Sequence, residues 1–192
     1  MLPIVLASSS SYRRALLERL AIPFSCHSPD IDETPKAGET AHALVERLAY
    51  EKAKALADAY PNHLLIGSDQ VAVLNGQILG KPHTHERALK QLSAASGQCV
   101  QFLTGLCLLN SHTGTFQSCV VPFSVHFRDL DKPTLNRYLL KEQPYDCAGS
   151  FKAEGLGVSL FTKTEGEDNT SLIGLPLIKL VEMLNQEGII IP

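Results

Sequence analysis

Apolar residues along the chain follow two rhythms. Short unbroken runs at 4–7 and 64–66 have the length and composition of strands buried on both faces. Between them, Leu44, Val45, Leu48 and Leu56 recur at helical spacing, which predicts a long helix over 39–60 with Pro61 as its stop. A serine turn, Ser8 to Ser11, follows the first run and leads into a predicted helix over 13–20, closed before Pro23. Residues 24–28 read as a second strand, and 29–38 as a loop rich in acid.

The strand at 64–66 is expected to end at Gly67-Ser68-Asp69-Gln70, with extended structure resuming at 71–74. Asn75-Gly76 is a hairpin signal, and 77–79 is the return strand. A helix over 84–96 with Gly97 as its cap comes next, then long strands at 99–109 and 115–127. Asp131 caps a helix through Glu142, with Pro133 in its first turn. A late strand at 158–162 and a helix over 176–186 complete the pattern. Helices alternate with strands, but two strand pairs read as hairpins. The expectation is therefore a mixed sheet covered by helices, in one domain or two closely packed lobes.

Charge narrows the function. With a formal net charge of -3 and a pI near 6.1, the chain has no broadly basic face for long nucleic acid. Five cysteines without a C-x-x-C pair fit a reducing compartment. The apolar start, 1–7, is too short for a signal peptide, and no run approaches a membrane span, so a cytoplasmic location is expected.

Candidate chemistry collects behind the strands, where α/β folds place ligands. A strand, a serine turn and a helix aim backbone N–H groups at an anion. Asp69 closes an apolar run, and an ionised carboxylate beside a core needs a cationic partner. The plainer reading of a lone Asp there is a turn cap, and of Glu33 alone, a loop acid. Together they suit the oxygen-only coordination of Mg²⁺ or Mn²⁺. Lys52 falls on the polar side or the margin of the long helix, where a solvated lysine is the simpler alternative. Lys81 lies between Gly80 and Pro82, and Gly80 would permit close backbone approach to a ligand. Arg13 at a helix start opposes the dipole, which points to an anion facing it. These three cations suffice to neutralise a triphosphate. His83-Thr84-His85 has no third ligand nearby and reads as a solvated helix start, and Cys147 as a buried thiol.

The ordered set Leu6-Ala7-Ser8-Ser9-Ser10-Ser11-Tyr12-Arg13-Arg14, Asp32-Glu33, Arg47-Leu48-Ala49-Tyr50-Glu51-Lys52-Ala53, Gly67-Ser68-Asp69-Gln70, Gly80-Lys81-Pro82, Ala148-Gly149-Ser150-Phe151 and Gly174-Leu175-Pro176 resembles the Maf family of nucleotide pyrophosphatases. Ser11 departs from the proline many members carry. The resemblance covers essentially the whole chain. It implies a single Maf-like domain over 1–192 with an ITPase-like three-layer α/β/α fold, an elongated mixed sheet and a central cleft between two lobes. It implies a divalent metal cation and release of pyrophosphate from a nucleoside triphosphate. By position, it implies Asp69 as the acceptor that activates water, Glu33 with Asp69 as metal holders, and Arg13, Lys52 and Lys81 as phosphate grips. Ser8 would line the triphosphate loop. The small-molecule nucleotide is the implied partner, with no membrane, and a homodimer is compatible with the family.

Tyr12, Gln70 and Glu154 resemble the family branch that hydrolyses 7-methyl-GTP, removing a modified nucleotide from the pool. The dTTP/UTP branch usually carries Arg, Thr and Gln at these three places. That branch is the alternative within the family. A nucleotidyltransferase would need a glycine-rich loop where this chain has serines. A non-catalytic nucleotide-binding regulator of cell division would have no need for Asp69 and Glu33 together.

Overall fold

The computed structural model describes residues 2–192. The elements in chain order are β1 (Ile4–Ala7), α1 (Ser11–Glu18), β2 (Phe24–His27), α2 (Ala41–Lys54), β3 (Leu64–Leu74), β4 (Gln77–Leu79) and α3 (His85–Ala95). They continue with β5 (Cys99–Asn110), β6 (Phe116–Phe127), α4 (Lys132–Glu142), β7 (Phe161–Gly166), α5 (Asn169–Ile173) and α6 (Leu177–Gln186). The strands form one sheet in the order β2-β1-β3-β5-β6-β7, with β4 paired to β3. β1 is parallel to both β2 and β3, whereas β3–β4 and β6–β7 are antiparallel. The expected mixed sheet and the β3–β4 hairpin are thus present, and β5 and β6, the second expected pair, are neighbours in the sheet. Among the described residues, no helix is long and apolar enough to cross a membrane.

Two compact units are distinguishable. The first comprises Met1–Asp69, Thr104–Val121 and Asp168–Pro192, and the second Gln70–Leu103 and Pro122–Glu167.

In the first unit β1 and the adjoining parts of β3 and β5 are buried on both faces, and alternation sends neighbouring side chains to opposite layers. Ile4, Leu6, Leu64, Ile66, Leu106 and Leu108 pack with Leu16 and Leu17 of α1 and Leu180 and Leu184 of α6. Val5, Leu65, Cys107 and Leu109 face the other way, onto Ala49 and Ala53 of α2. Helices on both faces make this unit the three-layer α/β/α arrangement expected.

α2 lies unusually close to the sheet, and two glycines allow it. A Cβ at Gly67 would stand 2.0 Å from the Ala49 carbonyl oxygen, and one at Gly105 would stand 2.1 Å from that of Val45. Any side chain at either place would push the helix away.

In the second unit, α3 packs on α4. Phe151 meets Phe102, Phe127 and Phe161 edge to face, with ring centroids 4.9–5.6 Å apart. Asn75 and Gly76 both take positive φ at the β3–β4 turn, the backbone that Asn-Gly supplies.

Several expected boundaries move. β3 does not stop at Gly67 but runs unbroken from Leu64 to Leu74, so Asp69 sits inside a strand rather than at its end. Its polar stretch survives there because the side chains are satisfied: Ser68 donates to backbone carbonyls and Asp69 accepts from a lysine. α2 spans Ala41–Lys54, not 39–60. Beyond Lys54 the Leu56 and Ala57 amides bond three residues back, to Ala53 and Lys54, and the chain tightens into turns. α1 begins at Ser11 because Ser10, not a later residue, caps it. The late strand starts at Phe161 instead of 158: Val158 is two-thirds exposed, in a 3-10 turn enabled by Gly157 against the Lys152 carbonyl. The short helix α5 was not expected; Asp168 caps it.

The glycine contact gives a direct prediction. Gly67→Ala should destabilise the chain by about 2–3 kcal/mol through overpacking against α2. Gly80→Ala, where a Cβ meets nothing within 4 Å, should be near neutral. Urea denaturation of the two variants checks this, and equal midpoints would show that α2 accommodates a methyl group.

Candidate active site

The site grows from the close seating of α2. Lys52 continues the buried stripe of Leu44, Val45, Leu48, Ala49 and Ala53, and it is 6% exposed. The sequence reading, a lysine on the polar side or the margin, is corrected: Lys52 lies seven residues after Val45 and four after Leu48, and so shares their face. Its ammonium donates to Asp69 Oδ1 at 2.7 Å and stands 3.1 Å from Glu33 Oε1. Asp69 is also buried, at 8%. The buried lysine and the buried aspartate satisfy each other by this hydrogen bond inside the α/β layer.

Glu33 comes from the loop between β2 and α2, and its side chain is mostly exposed. The loop is fastened by Arg47 of α2. Arg47 donates from Nε and Nη2 to the two oxygens of Glu39 at 2.6 and 2.8 Å, to Glu51 at 2.9 Å and to the Thr34 carbonyl at 3.2 Å. Asp32 accepts from the Thr34 amide at 2.9 Å and shapes the turn. Arg47 thereby holds the segment that carries Glu33. The hydrogen bonds from Arg47 bring the Glu39 carboxyl down to about 2, and the same bonds raise Arg47.

Arg13, in the first turn of α1, is the second cation. Burial lowers its pKa, while the Asp69 and then the Glu33 carboxylates act the other way. It remains charged at neutral pH. Its Nε donates to the Gly174 carbonyl at 2.8 Å, which leaves the two Nη groups for other acceptors. The buried Ser68 hydroxyl reaches that same carbonyl at 3.0 Å and the Gly105 carbonyl at 2.8 Å. Gly174 adopts φ +126°, a conformation that favours glycine. Ser8, nearly buried after β1, accepts from the Ser10 amide at 3.1 Å, and Ser10 caps α1 through the Arg13 amide.

The first unit thus brings together Arg13, Glu33, Lys52 and Asp69, with Ser8 and Tyr12 on the same strand–turn–helix segment as Arg13. Lys81, Gln70 and Glu154 belong to the second unit. Lys81 is exposed in the loop after β4, Gln70 is half-buried in β3, and Glu154 is exposed in a turn. The space around Gly80 is open, so no neighbour requires a glycine there. His85 is not a solvated group: its ring nitrogens bond Tyr145 Oη at 2.9 Å and Asn136 Oδ1 at 2.7 Å. Cys147, expected to be buried, is half-buried.

Among the described residues, no group of three or more His, Cys, Asp or Glu side chains is arranged to hold a metal. The donor set at Lys52 is two carboxylate oxygens from separate elements, converging on one point. That fits a small hard cation that takes its remaining ligands from water and phosphate. It does not fit a dedicated all-protein cage.

A three-layer α/β unit whose carboxylates and cations converge beside a serine turn is the architecture of a phosphate-handling domain. The family model described as Maf-like protein matches residues 3–187, and the chain belongs to the Maf family. A Pseudomonas savastanoi pv. phaseolicola protein named 7-methyl-GTP pyrophosphatase is 71% identical, covering 98% of each chain. Proteins of the same name from Pseudomonas syringae pv. tomato and Pseudomonas aeruginosa are 68% and 65% identical, again over 98% of each chain. The solved Staphylococcus aureus Ham1 protein overlaps partially, at 20% identity and a TM-score of 0.47, covering 66% of this chain and 72% of its own.

Sequence reasoning missed Arg47, Ser68 and Gly174. Each stood inside a segment of the family resemblance without a role, and each holds a neighbour in place.

The Arg47–Glu39 pair has a pH signature. The folded pKa of Glu39 is about 2, below its ordinary 4.5. Its stabilising contribution is therefore full above about pH 4.5 and is lost as pH falls toward 2. Urea denaturation of wild type and Arg47→Met should show a stability gap at pH 7 that narrows progressively below pH 4.5. A gap independent of pH would mean that Arg47 acts by packing alone.

Proposed function

We propose that this chain hydrolyses nucleoside triphosphates, 7-methyl-GTP foremost, to the monophosphate and pyrophosphate. The observation that carries the reading is the convergence of Asp69 and Glu33 on one cationic point beside Arg13. The full-length relatives named 7-methyl-GTP pyrophosphatase support the choice of nucleotide.

Asp69 accepts the proton of the attacking water, and its burial beside α2 fixes its direction. Asp69 and Glu33 are the residues that would hold Mg²⁺ or Mn²⁺, which when bound supplies charge neutralisation for the triphosphate. Arg13 presents its two free Nη groups to phosphate oxygens, because Nε is already committed to Gly174. Lys52 and Lys81 add positive charge, and Ser8 lines the serine turn that receives the phosphates. Charge stabilisation of this kind acts on the transition state in which the leaving pyrophosphate develops.

For the base, Tyr12 offers an aromatic face, and N7-methylation makes guanine cationic. Stacking a cation on such a face contributes about 0.5–2 kcal/mol. Glu154 can accept from guanine N1–H and the 2-amino group, and Gln70 adds an amide. Five cysteines without a C-x-x-C pair fit a reducing cytoplasm.

A kcat/KM comparison across 7-methyl-GTP, GTP, dTTP and UTP with Mg²⁺ or Mn²⁺ tests the reading. We expect 7-methyl-GTP to lead. Asp69→Asn should fall by about 10²–10⁴ in rate, Glu154→Gln should weaken guanine recognition, and Tyr12→Ala should shrink the gap between methylated and plain GTP. A lead for dTTP or UTP would overturn the base assignment, and near-normal turnover in Asp69→Asn would overturn the catalytic one.

A further inference from the structure

The proposed function uses Lys52 as a phosphate grip, yet its ammonium stands between the two carboxylates that would receive the metal. Nζ is 2.7 Å from Asp69 Oδ1 and 3.1 Å from Glu33 Oε1. Its stem runs through the buried face of α2 beside Ala49 and Ala53, both fully buried. A point in reach of two carboxylate oxygens from different elements is the position a hard divalent ion requires. An ammonium and a divalent ion cannot share it.

We propose that Lys52 is an internal cation competing for the divalent-metal position, so that metal and triphosphate bind cooperatively rather than independently. This rests on the functional reading above. With Arg13 and Lys52 positive and Asp69 and Glu33 negative, the four charges sum to zero. A divalent ion arriving alone must displace the ammonium from both carboxylates and leave it without a counter-charge. A triphosphate supplies that counter-charge: the ammonium turns to the phosphate oxygens, and both carboxylates become available.

Among the described residues, no lysine or arginine but Lys52 stands within 4 Å of Asp69 or Glu33. Arg13 is tied to the Gly174 carbonyl. Arg47 is engaged by Glu39 and Glu51, and Lys36 lies 3.7 Å from Glu51. The site therefore discriminates against free metal until its nucleotide is present.

The test measures Mn²⁺ binding without nucleotide, by the electron paramagnetic resonance of free Mn²⁺, for wild type, Lys52→Met and Arg13→Met. Arg13→Met is the control for charge: it removes a nearby cation that does not stand between the carboxylates. Coupling between two ligands of one site is typically 5–150-fold, so Lys52→Met should bind Mn²⁺ on the order of tenfold more tightly than wild type. Arg13→Met should change affinity by about threefold or less. Equal affinities for wild type and Lys52→Met, or an equal gain in Arg13→Met, would overturn the proposal.

If Lys52→Met does not fold, the native chain answers instead. With ¹³C-labelled lysine, the Lys52 ε-methylene resonance, assigned by its loss in Lys52→Arg, should move when Mg²⁺ and inorganic pyrophosphate bind together. A resonance that stays in place while Mg²⁺ saturates the protein would overturn the proposal. Pyrophosphate release from 7-methyl-GTP is measured separately. A chain that cleaves 7-methyl-GTP without the Mn²⁺ difference loses only this inference, and one showing the difference without cleavage loses only the functional reading.

Discussion

The site depends on one steric permission: α2 can lie against the sheet only because Gly67 and Gly105 lack side chains. At those positions backbone carbonyls of α2 stand about 2 Å from where a Cβ would be. The close seating carries Lys52 down to Asp69, two residues beyond Gly67 on the same face of β3. A helix held a few ångströms further out would leave the buried Asp69 carboxylate without its hydrogen-bonded lysine. Such a group costs several kcal/mol or is neutralised. The packing of the first unit and the pairing of its central acid are thus the same fact.

Around that contact the structure keeps charge balanced by committing each group to a definite partner. Arg47 fastens the Glu33 loop by its two-pronged bond to Glu39. The Gly174 carbonyl fixes the Arg13 guanidinium by one edge and leaves the other edge free. Asp168, buried at 4%, accepts from Thr170 and from the Ile178 amide and so secures the turn that presents Gly174. Arg13 and the Glu33 loop are thus held by the chain itself, and charges fixed in this way are the kind that can lower a barrier.

Much of the fold was legible because its signals are local. Ile4–Ala7, the Asn75-Gly76 turn and the helix capped by Asp131 follow from apolar runs, turn chemistry and capping. The unbroken β3 was not legible, since Gly67-Ser68-Asp69-Gln70 has the composition of a break. Only partners distant in sequence, Gly105, Gly174 and Lys52, make it a strand interior. The burial of Lys52 was legible in its position, in register with Val45 and Leu48, but not in its residue type, which is ordinarily solvated. Arg13 at a helix start and Asp69 beside an apolar run both stand in places that demand partners. What those partners are depends on tertiary contacts with separations of 17 to 161 residues, which no local window contains.

The central claim is that the carboxylate pair in the first unit serves cleavage of a nucleoside triphosphate to the monophosphate and pyrophosphate. The most direct measurement is the phosphorus NMR spectrum of 7-methyl-GTP during turnover in ¹⁸O-enriched water. The account predicts pyrophosphate and 7-methyl-GMP in equal amounts, with one ¹⁸O per turnover in one of the two products. Orthophosphate with 7-methyl-GDP, or an unchanged triphosphate spectrum, would contradict it.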